Sequence, residues 1–330
     1  MKVALAQKLT GIDSVELGEL PDPSTRGGPG ADQSARRGRR PVGVGFLGGG
    51  FPGIALPFVP GQEVAGIVEA VGDGAGVQPG ERVYAGLFPA GGGFAELALA
   101  SADRVAPMPG QASFAEAAGL VIGAGTAHEG LVDRGQLQPG ETVLITAAAG
   151  GVGSAAVQIA VAVGARVVAV ASPPNHDYLL SLGASEVFDY HAAGWAQQVR
   201  AAVPGGVDLL FDDAGGQTRD RALDAVRDGG RAISIVLQGT PLHLDRGITG
   251  ESFAATAAGR GLSNWLPLST PANSARKPKR YCHSTRPATR WRGSLPGTLG
   301  ARSRSKSADC IDRAGLPGNQ VAGGADEQDS

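Results

Sequence analysis

The stretch TAAAGGVGSAAVQIA, residues 146–160, decides the fold. It joins an apolar run, TVLIT at 142–146, to a helix-like run, SAAVQIAVAVG at 154–164. Across the junction, Ala147, Gly150 and Gly153 give the spacing A-x-x-G-x-x-G. Glycine at 150 admits backbone conformations and a close approach that a side chain blocks. Gly153 lets the start of the helix pack against the strand. The N–H groups of that helix start, together with its dipole, then face an anion, and a pyrophosphate suits both. A tight turn made only for packing is the plainer alternative. The surrounding strand–turn–helix pattern favours phosphate binding. The 24 positions from 142 to 165 hold no charged residue, long enough to span a bilayer, but three glycines interrupt them and no aromatic anchors flank them. Two buried elements joined by a glycine turn explain the run better.

Working outward, strands and helices alternate from 139 to 237. ARVVAVA (165–171) precedes helix NHDYLLSLG (175–183), and EVFDY (186–190) precedes helix GWAQQVRAAV (194–203). VDLLFD (207–212) precedes helix TRDRALDAVRDG (218–229), and strand RAISIVL (231–237) comes after it. Repeated βα units with apolar strands predict an α/β fold, a doubly wound parallel sheet covered by helices on both faces. Upstream, SFAEAAGLVIGAGTAHEGLV (113–132) reads as a helix, with Ser113 and Glu116 at capping-box spacing. Before it, short β-like runs at 64–72, 81–87, 94–100 and 103–108, split by Pro and Gly, predict a small antiparallel domain. The division expected is 1–112, 113–260 and 261–330.

The second strand of the series ends about twenty residues past the turn, where an Asp or Glu would hold the ribose 2′-OH of NAD. Here stand Ala171, Ser172, Pro173, Pro174 and Asn175, with no carboxylate to repel a 2′-phosphate. Ser172, Asn175 and His176 can donate to one, which favours NADPH. Asn175 also suits a helix N-cap, and the two roles are compatible.

The 330 residues sum to a net charge of −2, with 29 Lys and Arg against 31 Asp and Glu. That balance argues against a dedicated nucleic-acid binder. It averages unlike parts, however. Segments 24–41 and 263–310 hold fifteen of the bases and two of the acids, leaving a body near −15. Both cysteines, Cys282 and Cys310, lie in the second segment, so the body has no disulfide framework or Cys-rich metal site. The N-terminal text is charged too early for a secretory leader. A cytoplasmic protein, with no membrane or nucleic-acid partner, is expected.

These motifs, with PFVPGQEVAGIVEAVG (57–72), GGGFAELAL (91–99), LGASEVFDY (182–190), VDLLFDDAGGQT (207–218) and GGRAISIV (229–236), resemble the medium-chain dehydrogenase/reductase superfamily, and within it the zinc-independent quinone oxidoreductase branch. The resemblance covers 1–23 and about 46–262. It implies a GroES-like substrate domain, a Rossmann cofactor domain, a cleft between them and a homodimer. It further implies hydride transfer from NADPH to a quinone or α,β-unsaturated carbonyl as small-molecule substrate. By the same resemblance Gly150, Gly151, Val152 and Gly153 hold the pyrophosphate, and Ser172 and Asn175 lie near the adenosine phosphate. Tyr190 lies near the adenine ribose, Gly215 and Val236 line the cofactor groove, and Thr126 lies near the nicotinamide. No catalytic acid is evident. Zinc-dependent relatives carry Gly-His-Glu where this chain has Gly61, Gln62 and Glu63, and no Cys precedes 282, so no metal is expected.

Two segments break the family pattern. Between 24 and 41 there is no Val, Ile or Leu, and the N-x-x-D element of relatives is missing. From 263 the text shows neither period 2 nor period 3.6. Both 24–41 and 263–330 are expected to lack order. Their abrupt onset, and the return of the family pattern after the first, fit translation out of frame relative to the ancestral coding sequence. Reading the gene in the other two frames tests this, and absence of an apolar strand pattern there refutes it. The rival is a genuine basic tail for an acidic partner. On either reading, the substrate domain is incomplete, the chain binds cofactor more reliably than it turns over, and removal of 263–330 should cost little solubility. A cofactor-binding pseudo-enzyme is the alternative function.

Overall fold

The computed structural model describes residues 1–23, 54–72, 75–87, 90–108, 110, 112–236, 242, 244–255 and 298–301. Segment 24–41 and the tail other than 298–301 lie outside the described residues.

Two strands open the chain as an antiparallel hairpin, β1 (Lys2–Ala6) and β2 (Val15–Glu19), in register from Lys2 opposite Glu19 to Ala6 opposite Val15. Bridges from Val3 to Ala95 and from Ala6 to Phe58 tie the hairpin to the loops around the second sheet. That sheet contains β3 (Glu63–Val71), β4 (Arg82–Gly86), β5 (Ala98–Ser101) and β6 (Val105–Pro107). A late strand, β13 (Thr298–Ala301), enters between β5 and β3, and the antiparallel order is β5-β13-β3-β4-β6. Within the tail expected to lack order, these four residues therefore pair as a strand.

Side chains alternate across this sheet, as the pleat requires. Val64, Val68, Val83 and Ala85 form one core with Val77 and Leu87. Ala65, Tyr84 and Ala106 face the other way, onto Ala117 and Val121 of helix α1 (Phe114–His128). The Ser113 hydroxyl accepts from the Glu116 N–H at 3.3 Å, and the Glu116 carboxylate accepts from the Ser113 N–H at 2.8 Å, so the capping box starts α1 as its spacing predicts. A wider, π-type turn, Glu129–Arg134, ends it.

The rest is the parallel sheet: β7 (Thr142–Ile145), β8 (Arg166–Val170), β9 (Glu186–Phe188), β10 (Val207–Asp212), β11 (Val226–Ser234) and β12 (Thr249–Ser252). Its order is β12-β11-β10-β7-β8-β9, all parallel. Counted from β7 this is 3-2-1-4-5-6, the doubly wound dinucleotide order, with its switch point between β7 and β10. Helices α2 (Gly151–Val163), α3 (His176–Ser181), α4 (Trp195–Ala202) and α5 (Gly216–Leu223) cover both faces. Val143, Ile145, Val167, Leu209 and Phe211 pack under α1 and α2, whereas Leu144, Val168, Val170 and Leu210 pack under α4 and α5. Burial on both faces explains why these strands read as unbroken apolar runs.

One boundary differs from the sequence reading. The helix expected over 218–229 is over by Leu223, and β11 begins at Val226. Val226 pairs with the fully buried Val207, the next paired residue is Arg231 opposite Leu209, and the polar text between them bulges out. Packing of a single valine overrides the helical pattern of its neighbours. No helix among the described residues is long and apolar enough to cross a membrane.

Candidate functional site

The C-terminal edge of β7 builds the site. Thr146 comes directly after the strand and its N–H still donates to the Phe211 carbonyl at 3.1 Å. Ala147 then turns into the left-handed region at φ 46°, a costly place for a residue with a Cβ. It is held there by the Gly150 N–H, 2.9 Å from its carbonyl, while the Ala148 N–H reaches Val170 of β8 at 3.2 Å. Helix α2 starts at Gly151 with Gly150 as its N-cap. A Cβ on Gly153 would lie 2.4 Å from the Ala147 carbonyl and 2.6 Å from Ala148 Cα, so only glycine fits. From the other side Gly123 of α1 presses on the turn, where a Cβ would come 2.8 Å from the Gly151 carbonyl.

Across the switch point stands a buried carboxylate that the sequence reading passed over. Asp212 Oδ1 accepts from Thr146 Oγ1 at 2.7 Å and Oδ2 accepts from Ser234 Oγ at 2.7 Å. The N–H groups of Ala214 and Gly215 also donate to it, at 3.2 and 3.1 Å. The Asp213 N–H donates to Thr146 Oγ1 at 3.0 Å, and Ser234 Oγ accepts from the Val236 N–H at 3.2 Å. One carboxylate thus binds the ends of β7, β10 and β11 into a unit. Next to it, the Asp213 carboxylate lies beside the Gly153 N–H at the start of α2. Burial, and then the charge of Asp212, push its carboxyl up to about 7, against the opposing effect of that N–H. The signal for both residues was two adjacent acids closing the apolar run VDLLF.

Gly150, Gly151, Val152 and Gly153, all named from sequence, form the turn and first helical turn just described. Ser172 lies past the end of β8 and its Oγ accepts from Asn175 Nδ2 at 3.0 Å, while the His176 ring lies 3.2 Å from the Ala171 carbonyl. Gly215, at φ 69°, lies against Val236, whose Cγ1 would meet a Cβ there at 2.7 Å. Tyr190 lies past the end of β9, is 39% exposed and rests on His191 with ring centroids 4.0 Å apart. All of these sit beyond the C-terminal ends of parallel strands, where ligands of such sheets bind. Thr126 is the exception, buried within α1.

The antiparallel sheet reaches α1 through a second acid. Glu63 Oε2 accepts from the Ile122 N–H in mid-helix at 3.1 Å, and burial pushes its carboxyl up to about 7 against that bond. Beside it Gln62 is buried, and its Oε1 has no hydrogen-bond partner among the described residues. No three His, Cys, Asp or Glu side chains gather as a metal site among the described residues.

Two family models match the chain: the alcohol dehydrogenase GroES-like domain over residues 31–110 and the zinc-binding dehydrogenase over residues 151–252. The chain is similar to the quinone oxidoreductase of Mus musculus, at 35% identity over 58% of this chain and 59% of that protein. It thus spans less than two thirds of that relative's length. Among solved structures, the quinone oxidoreductase of Thermus thermophilus, also solved as a complex with NADPH, is 32% identical with a TM-score of 0.61, covering 78% of this chain and 81% of that one. An alcohol dehydrogenase superfamily protein of Novosphingobium aromaticivorans is 30% identical with a TM-score of 0.65, covering 81% and 83%.

Proposed function

The chain belongs to the medium-chain dehydrogenase/reductase superfamily, among its quinone oxidoreductase-like members, and from that premise we propose that it is a zinc-free oxidoreductase that uses NADPH to reduce a quinone or an α,β-unsaturated carbonyl. The observation that carries this reading is the glycine turn at the switch point of a 3-2-1-4-5-6 sheet, where Gly153 lets the start of α2 pack directly on Ala147 and Ala148. That strand–turn–helix junction fits a nicotinamide dinucleotide, which when bound would supply the hydride.

The chain's own residues do the positioning. The N–H groups at the start of α2 bind the pyrophosphate, and the helix dipole favours its charge. Asp212 fixes the three strand ends around it, so the groove wall formed by Gly215 and Val236 is rigid. Ser172 and Asn175 take the adenosine 2′-phosphate, Tyr190 the adenine ribose, and Thr126 the nicotinamide side. The absence of a carboxylate after β8 is what supports NADPH over NADH. No side chain is assigned as proton donor. Zinc does not fit the residues present: the position of the family's histidine holds Gln62, an amide with a poor affinity for zinc, and no cysteine precedes 282.

Titration with NADPH, with and without a quinone and monitored by cofactor absorbance, tests the proposal. Binding with oxidation supports it. Binding without oxidation favours the second reading, a cofactor-binding pseudo-enzyme. The Gly/Arg-rich text at 24–41 favours that reading, because it stands where relatives place pocket-lining residues. A homodimer belongs to the main reading: β12, with four exposed residues, ends the parallel sheet among the described residues and offers an edge for pairing.

A further inference from the structure

Helix α2 has no cap of its own. Gly150 makes no side-chain cap bond, and the first turn holds no acidic residue. An acid reaches it from across the switch point, where the Asp213 carboxylate lies beside the Gly153 N–H. A Cβ on Gly150 would lie 3.7 Å from Asp213 Oδ2, so the carboxylate also lies close beside the glycine turn. Backbone donors at a helix start form an anion site, and here an acid of the protein stands beside that site.

We propose that Asp213 competes from within for the site of the cofactor pyrophosphate, so that the turn takes a dinucleotide tightly only when Asp213 is neutral. This rests on the cofactor reading given above. The charges around Asp213 leave it little relief. Segment 147–153, the start of α2 and the end of β8 contribute no charged residue. The end of β11 contributes the Ser234 hydroxyl, which is committed to Asp212. From β10 comes Asp212, a like charge that disfavours ionisation. On α5, the buried Arg219 pairs with Asp220 at 2.9 Å, and Arg221 is exposed. On α1, Glu116 is capped at the far end by Ser113 and His128 faces Asp133 at 3.5 Å.

The direction comes from charge. Below about pH 7 Asp213 carries a proton and adds no charge to the anion site. Above it the carboxylate opposes two phosphates in a partly dry place, and binding must return the proton. If only the neutral form binds, the dissociation constant rises about tenfold per pH unit above that point, and each binding event takes up close to one proton.

Isothermal titration of the full chain tests this between pH 6 and 9, with NADPH and with NADH, in buffers of different ionisation enthalpy. NADH removes the 2′-phosphate, whose own ionisation falls near about 6. The expected result is a tenfold weakening per unit above pH 7 for both cofactors, with proton uptake. Asp213→Asn should bind with no pH slope above 7, and at pH 8.5 at least tenfold more tightly than the parent chain. Asp213→Ser should behave likewise. A parent chain that binds with a flat profile and no proton uptake overturns the proposal and leaves the cofactor reading intact. So does an equal slope in parent and variants. No binding at pH 6 by any of the three overturns the cofactor reading and the proposal with it. If neither variant folds, proton uptake by the parent chain decides.

Discussion

Asp212 and Glu63 put burial to opposite uses. Asp212 is fully buried yet receives donors from Thr146, Ser234, Ala214 and Gly215, which replace the water it lost. Asp212→Ala would strand these donors, and a loss of about 3–5 kcal/mol in urea unfolding is expected, with Asp212→Asn costing less because the amide oxygen still accepts. Among the described residues Glu63 has one donor, Ile122, and its carboxyl moves from 4.5 to about 7. A carboxyl raised by folding contributes stability that is whole below 4.5 and lost as pH rises through about 7. Glu63→Gln keeps an acceptor for Ile122 and removes the charge. The melting temperature of the variant should therefore fall less than that of the parent between pH 6 and 8. The glycines of the turn were legible from spacing, because a missing side chain leaves a mark in sequence. The network of Asp212 was not, because its partners stand 66 and 22 residues away along the chain.

Among the elements, β12 shows what a short edge strand needs. All four of its residues are exposed, and among the described residues the ladder to β11 supports one side only. Arg134, from the wide turn after α1, pins its neighbourhood: it reaches Glu129 at 2.7 Å and Glu251 at 2.7 Å, and its guanidinium lies 4.5 Å from the centre of the Phe253 ring. Glu129 is only 5% exposed, so losing Arg134 takes a cationic partner from a buried carboxylate. Arg134→Ala is expected to cost about 1–3 kcal/mol and to raise hydrogen exchange at β12 before the centre of the sheet responds. The capping box of α1 was readable, since it is a local exchange of bonds between Ser113 and Glu116. The early start of β11 was not, since it depends on Val226 finding Val207.

At the scale of the whole molecule, α1 is shared property. One side packs on Tyr84 and Ala106 of the antiparallel sheet, and the other meets α2 at the glycine turn. The tail also belongs partly to the fold, because β13 lies between β3 and β5. A chain ending at 262 keeps the six parallel strands, so it should still bind cofactor by titration. It also bares the edges of β3 and β5. Faster aggregation than the full chain is therefore expected by light scattering, in place of the small solubility cost anticipated from composition. The sequence alone determined the class of the fold and the seat of the phosphate turn, because apolar period, helix caps and glycine spacing act over a few residues. It also located the two segments foreign to the pattern. Only the tertiary structure decided which acids close on that turn and how a tail strand enters the first sheet. Burial and neighbouring charge are properties of assembled strand ends, and no single stretch of chain contains them.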